Sequence, residues 1–462
     1  MATTFRIYSI FAISLILSFC FTVSAQAKQS PREFNVILID ITALRADHIS
    51  FFGYKRPITP HIDQFARESV VFTQAISQAH WTLPSVTSVL TSLYVPSHSV
   101  DSRTMQVPRE IPGVPAVLKD NGYRTLAFVG GLDLVAKYNL SQYFEFYNDN
   151  PDAIPMGSLK EGFSQAIEWI RSNSGEKFFM FLQGYDVHPP FKFTHGYKQF
   201  TGKEYMGAFR GMELNYQVLK NIKDFRLKIN GKDTELTQDD IDYVIAAYDA
   251  SIKHVDKLFG DFIRSLRDSG KMDNTIVILF GDHGEELHDH GTFDRFGSKN
   301  YFDEVLRVPL IIHHPLLKHK IINSQVELID IMPTVLGFLE LVPKASYLIE
   351  GRNLISLING SAHSGFKKYV YSGGLDGQYA VRMKDWKLIF LDKKFKLYNL
   401  NENPNESTVE QNDPVSTELA KQLYDWYLTT SVERFRRNTI KRLPHNILPL
   451  QFRDPGPELW NR

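Results

Sequence analysis

Runs of consecutive apolar residues constrain this chain most. Asn35 to Ile41, residues 178–182 and Thr275 to Phe280 carry β-branched and apolar side chains at successive positions. Strands built from them are buried on both faces, the pattern of a parallel sheet covered on each side. Between them, Ile241, Val244, Ile245, Tyr248, Ile252, Val255, Phe259, Ile263 and Leu266 keep a helical period. Strands alternating with helices predict an α/β fold, a large mostly parallel sheet flanked by helices. Ligands of such sheets gather at the carboxyl ends of the strands, and Thr42, His188 and Asp282 each follow a predicted strand there.

With 462 residues, 43% of them hydrophobic and 13% aromatic, the chain can bury a large core. Basic and acidic residues balance at 52 each, so no global charge draws the protein to nucleic acid or anionic lipid, and any anionic ligand must be met by a local site. Arg6, the apolar run from Ile7 to Val23 and Ala25-Gln26-Ala27 read as a secretory signal over residues 1–27, cleaved before Lys28. The apolar run is long, so an uncleaved membrane anchor stays open. The only cysteine, Cys20, lies in this segment, and a mature chain without cysteine has no disulfides. The expected location is periplasmic or secreted.

Trp81-Thr82-Leu83-Pro84-Ser85 has the form of a nucleophile turn entering a helix. Pro84 suits the first helical position, and Val86, Val89, Leu90 and Leu93 follow at helical spacing, which puts Thr82 just ahead of an amphipathic helix. An anionic ester there would face unpaired backbone N–H groups. Asp282 and His283 follow a buried strand through Gly281, a spacing that lets adjacent side chains reach one divalent cation. After Pro333 the pattern changes to short strands near residues 370–372, 379–382 and 386–389, then a helix near 418–427.

Read together, Asn35-Val36-Ile37-Leu38-Ile39, Thr82-Leu83-Pro84-Ser85 and Gly281-Asp282-His283-Gly284-Glu285 resemble the sulfatase branch of the alkaline phosphatase superfamily. The resemblance covers roughly residues 33 to 430. It implies an alkaline-phosphatase-like mixed sheet in a domain over residues 33–345 and a small antiparallel sheet plus helix over 346–430. The tail, 431–462, is assigned no fold. In sulfatases the turn reads Cys-x-Pro-Ser-Arg and the cysteine becomes formylglycine. Here Thr82 replaces the cysteine and Val86 the arginine, so no formylglycine forms and an active site must use Thr82 directly. The family's Lys-x-His pair is also missing, because Gly130-Gly131-Leu132 follows the corresponding strand.

The resemblance makes Asp282, His283 and Thr42 the candidate ligands of a divalent metal ion, calcium or else manganese, magnesium or zinc. That site looks incomplete, because Thr42 and Ala43 stand where the family has its first carboxylates. Asp40 lies two residues back on the same strand face, about 6.6 Å away, whereas metal–oxygen bonds are about 2.0 to 2.6 Å. No carboxylate is therefore expected beside Asp282, with Asp289 and Asp294 as candidate replacements on the following loop. His188 and His290 match the family's leaving-group and ester-binding histidines, and Lys299 with Ser85 its substrate-binding positions. A histidine suits proton transfer near neutral pH. Arg45 and Asp47 are expected to form a structural ion pair. The implied function is hydrolysis of a sulfate or phosphate ester on a small molecule or glycan. The alternative is a non-catalytic protein of the same fold that binds an anionic glycan or a partner.

Overall fold

The computed structural model describes residues 33–439 apart from 150–155, 294–300, 345–346 and 362–366. The signal segment, Asp294, Lys299 and the boundary expected at 345/346 therefore lie outside the described residues, as does the tail beyond residue 439.

The strands of the main sheet are β1 (Asn35–Ile41), β2 (Val70–Ile76), β3 (Arg124–Phe128), β4 (Phe146–Asn148) and β5 (Phe178–Gly184). A hairpin of β6 (Arg226–Ile229) and β7 (Lys232–Glu235) stands apart, after which β8 (Thr275–Phe280), β9 (Arg307–His313) and β10 (Lys320–Glu327) complete the sheet. Its 8 strands run in the order β10-β2-β9-β8-β1-β5-β3-β4. β9 pairs antiparallel with both β2 and β8, while the other pairings are parallel, so the sheet is mixed but mostly parallel.

The continuous apolar runs fall on β1, β5 and β8, which are buried along their whole length. Successive side chains point to opposite faces. Ile37, Ile39 and Ile41 pack with the Leu159–Ser172 and Gln238–Asp268 helices on one face. Val36 and Leu38 pack on the other with the Thr82–Thr91 and Ile331–Phe338 helices. Helices thus cover both faces, and the same alternation carries Asp40 and Thr42 to the face covered by the Thr82–Thr91 helix.

Strands β11 (Val370–Gly373), β12 (Tyr379–Met383), β13 (Trp386–Leu391) and β14 (Lys394–Asn399) form a 4-stranded antiparallel sheet in sequence order. Leu419, Leu423 and Trp426 of the closing helix pack against it. That helix spans Asp413–Thr439, so it reaches into the tail for which the sequence suggested no fold. The small sheet is bonded straight onto the segment that leads to Thr82, through Ser372 Oγ to the Ser77 carbonyl (2.5 Å) and the Gly373 N–H to the Gln78 carbonyl (3.0 Å).

Candidate active site

Thr82 opens its helix, with Trp81 at the N-cap offering no side-chain cap. Sequence spacing put Thr82 ahead of an amphipathic helix, whereas the structure begins the helix at Thr82 and buries every residue of it. Polar positions survive that burial because their hydroxyls find partners, two of them within the helix. Thr87 Oγ1 donates to the Leu83 carbonyl (2.7 Å) and Thr91 Oγ1 to the Thr87 carbonyl (2.6 Å).

Glycine spacing fixes the segment after β8. A Cβ on Gly281 would stand 2.8 Å from the Leu44 carbonyl oxygen, and one on Gly284 only 1.9 Å from that of Glu304. Those close backbone approaches hold Asp282 and His283, both fully buried, between the end of β1 and the Asp303–Leu306 turn. The Asp282 carbonyl accepts from Ser77 Oγ (2.5 Å) and Ser85 Oγ (2.6 Å). Ser85, expected to bind substrate, thus holds the backbone of the loop.

Thr82 and His283 meet, with Thr82 Oγ1 3.2 Å from His283 Nε2. His283 Nδ1 lies 2.7 Å from the Gly284 carbonyl, which can only accept, so Nδ1 carries a proton, and Nε2 faces both the Thr82 hydroxyl and, at 3.5 Å, Asp282 Oδ2.

Asp282 Oδ1 accepts from the backbone N–H groups of Ala43 (3.2 Å) and His283 (2.9 Å). Thr42, buried, accepts from the Gln183 side-chain amide at 2.6 Å, and the Gln183 oxygen in turn accepts from the Gly130 N–H at 2.9 Å. Parallel register explains the Gln183 contact, since Asp40 and Gln183 are paired on β1 and β5. Asp40 corrects the expectation that no carboxylate stands near Asp282. Its Oδ1 accepts from the Asp282 N–H at 3.1 Å, because the chain leaving β8 folds back over the end of β1. The rise along the strand was measured to Thr42, and the partner comes from the neighbouring strand instead. Burial, then the neighbouring Asp282 charge, push the Asp40 carboxyl well above its ordinary range.

The remaining candidates are placed as follows. Buried His188 sits Nδ1 to the Pro189 carbonyl (2.6 Å), with its ring edge-on to Tyr185. His290 stacks on Phe302 with ring centroids 3.7 Å apart, and its Nε2 faces Glu304 at 3.5 Å. Burial works against the charged form of His290, but the Glu304 carboxylate outweighs it and raises the pKa. Arg45 pairs with Asp47 (2.7 Å) as expected, and also with Asp289 (2.5 Å). Asp289 is thereby committed to a guanidinium. Sequence reasoning missed Gln183 and Tyr248. The Tyr248 hydroxyl donates to the Ala43 carbonyl (2.8 Å) and accepts from the Arg45 N–H (3.0 Å).

A divalent ion implied by the resemblance can be tested against these donors. The Oδ1 of Asp282 is occupied by two N–H groups, the Thr42 hydroxyl by an amide, and His283 Nε2 by Thr82. An N–H donor, that of Ala43, points at Asp282 from a position where the family has a carboxylate. Among the described residues no group of three or more His, Asp or Glu side chains is arranged to hold a metal ion. Asp40 Oδ2 is nevertheless buried without a hydrogen-bond partner and Asp282 Oδ2 lies 3.5 Å from His283 Nε2, so the acidic oxygens left over belong to Asp40 and Asp282 rather than to the Thr42 position the resemblance implies.

Comparison with known proteins agrees with the fold. The Sulfatase family matches residues 34–341, and the N-sulphoglucosamine sulphohydrolase C-terminal family matches residues 288–432. An arylsulfatase of Clostridium perfringens is 25% identical, the match covering 81% of this chain and 89% of that protein. The multifunctional alkaline phosphatase superfamily protein PehA of Trinickia caryophylli is 24% identical over 70% of this chain and 77% of its own length. Among solved structures, one in complex with its substrate D-glucosamine-2-N,6-O-disulfate superposes with a TM-score of 0.70, at 16% identity, over 89% of this chain and all (100%) of that one. A phosphonate monoester hydrolase of Agrobacterium radiobacter does so with a TM-score of 0.66, at 20% identity, over 87% of this chain and 96% of its own. The large mixed sheet, the small antiparallel sheet and the family match over most of the described residues give one conclusion: this chain belongs to the sulfatase family of the alkaline phosphatase superfamily.

Proposed function

We propose that the protein is an exported hydrolase of anionic esters, periplasmic or secreted, in which Thr82 is the nucleophile and His283 its general base. The 3.2 Å contact between Thr82 Oγ1 and His283 Nε2 carries this reading, together with the proton that Gly284 keeps on Nδ1. Thr82 Oγ attacks the phosphorus or sulfur of the bound ester in line, and its proton passes to His283 Nε2. The bond to the leaving oxygen breaks, and that oxygen takes a proton from His188. Water then attacks the same phosphorus or sulfur and gives a proton to His188, while the bond to Thr82 Oγ breaks and that oxygen takes its proton back from His283. Phosphate and phosphonate esters suit a hydroxyl nucleophile better than sulfate esters, because the release step that formylglycine provides is missing from this chain. His290 and the N-terminal end of the Thr82–Thr91 helix supply the anion-facing side of the pocket in this reading, and Lys299 is carried over from the family resemblance alone. A glycan ester is in keeping with the substrate-bound structural relative.

The experiment is an assay of aryl phosphate, phosphonate and sulfate esters with the purified chain and its Thr82→Ala variant. Turnover that disappears in the variant supports the reading. No turnover with any ester favours a second one, a non-catalytic protein binding an anionic glycan or partner. The hydrogen bonds already made by Asp282 Oδ1 and by the Thr42 hydroxyl support that second reading, since each ties its group to the chain itself.

A further inference from the structure

We infer that Glu304 and Phe302 are positioning residues for His290, holding its ring so that one edge stays turned to the anion the pocket receives. The place of His290 beside that anion rests on the hydrolase reading, and the inference adds the groups that orient it. Three contacts fix the residue. Glu286 Oε1 accepts from the His290 backbone N–H at 2.9 Å. The Phe302 ring lies against the imidazole face, with centroids 3.7 Å apart and planes 20° from parallel. Glu304 Oε2 stands 3.5 Å from His290 Nε2. A ring stacked on one face keeps mainly its in-plane rotation, and a carboxylate facing Nε2 selects among those orientations by attracting the N–H there. Nδ1 forms no hydrogen bond among the described residues, and the His290 side chain is 14% exposed against 8% for Glu304, so the ring is the more accessible partner of the pair. A neighbouring negative charge favours the imidazolium, whose Nδ1–H can donate to an anionic oxygen.

The turn that carries Glu304 is itself braced from two sides. On one, the Val305 carbonyl accepts from the Gly284 N–H at 2.7 Å, and the Glu304 carbonyl leaves no room for a Cβ on Gly284, which seats the turn on the loop of His283. On the other, Asp303 faces Lys387 at 3.0 Å and Arg382 at 3.3 Å, and its N–H donates to Glu406 Oε2 at 2.6 Å. Arg382 lies on β12 and Lys387 on β13, so the small sheet fixes the backbone from which Glu304 reaches the histidine. A carboxylate supported in this way orients its partner without first having to be ordered.

The test reads anion binding rather than turnover. Inorganic phosphate is titrated into the full chain by isothermal calorimetry, for the parent and for Glu304→Gln, Phe302→Leu and His290→Gln. Glu304→Gln keeps the size of the side chain and is expected to raise the phosphate dissociation constant about tenfold, as is His290→Gln, with about threefold for Phe302→Leu. In the His290→Gln background neither Glu304→Gln nor Phe302→Leu shifts it further by more than about twofold, because their effect passes through the imidazole. A purely structural role weakens binding alike in both backgrounds, and that outcome overturns the inference. So does a folded Glu304→Gln chain with the parent's affinity, or a parent that binds no phosphate at millimolar concentration. Where circular dichroism shows Glu304→Gln unfolded, Phe302→Leu carries the same comparison. A chain that turns over no ester but shows the coupled loss sinks the hydrolase reading alone, and an active chain without the coupling sinks this inference alone.

Discussion

Thr82 Oγ1 and His283 Nε2 lie 3.2 Å apart, and the opposite ring nitrogen of His283 is held on the carbonyl of the next residue, Gly284. A hydroxyl and an imidazole in this relation can pass a proton without moving either backbone. If the pair works as nucleophile and base, Thr82→Ser keeps most of the turnover, whereas His283→Gln lowers kcat by about 100-fold or more. Steady-state kinetics on the best aryl ester, with circular dichroism to confirm folding, checks both. Equal activity in the parent and His283→Gln would remove the base from the mechanism.

Gln183 is expected to contribute to stability out of proportion to its size. Replacing it with Leu leaves the Thr42 hydroxyl and the Gly130 N–H buried without their partner, a loss of about 1–3 kcal/mol. Urea unfolding monitored by tryptophan fluorescence gives the value. A change inside about 0.5 kcal/mol would place Gln183 among ordinary tolerant positions.

Lys367 joins the small sheet to the large one. Its ammonium, buried, lies 2.5 Å from Glu327 Oε2 and 2.6 Å from Asp330 Oδ1, and Glu327 also accepts from the Tyr94 hydroxyl and the Tyr371 N–H. Lys367→Met strands two carboxylates in the interior and is expected to cost about 3–5 kcal/mol. Adding Glu327→Gln to that variant recovers part of the loss, because one orphaned charge goes with it. Differential scanning calorimetry of the single and double variants measures both effects.

The buried Glu286 carboxyl should contribute a fall in stability as pH rises through the neutral range. Burial, then the charge of Asp289, push the Glu286 carboxyl up to about 8 from an ordinary 4.5. The folded state therefore keeps a proton that the unfolded chain releases. Its contribution is full below about 4.5 and is lost as pH climbs through about 8. Glu406, raised to about 7, and Asp256, raised to about 6, act in the same sense, each principally through burial. Glu286→Gln should flatten the decline in urea midpoint between about pH 5 and 8, and an unaltered slope would assign the decline to other groups.

Much of the frame was legible in the residues. β1, β5 and β8 announce themselves because both faces of each strand are apolar, and the glycines around Asp282-His283 mark a loop pressed against other backbone. The nearness of Thr82 to His283 followed from the family resemblance rather than from any local pattern. Gln183 could not be found that way. Its importance comes from the parallel register that sets it beside Asp40, a relation between residues far apart in the chain. Asp40 was misjudged for a related reason, since distance along its own strand says nothing of what the next strand brings back over it. The length of the closing helix was missed because the sequence beyond Tyr427 turns to Glu433, Arg434, Arg436 and Arg437.

Tyr248 belongs to the Gln238–Asp268 helix, which covers the face of the sheet opposite Thr82, yet its hydroxyl grips the loop on which Asp282 leans. The two sides of the sheet are therefore mechanically linked through a single phenol. A shift or rotation of that long helix bears directly on the loop whose alanine N–H holds Asp282.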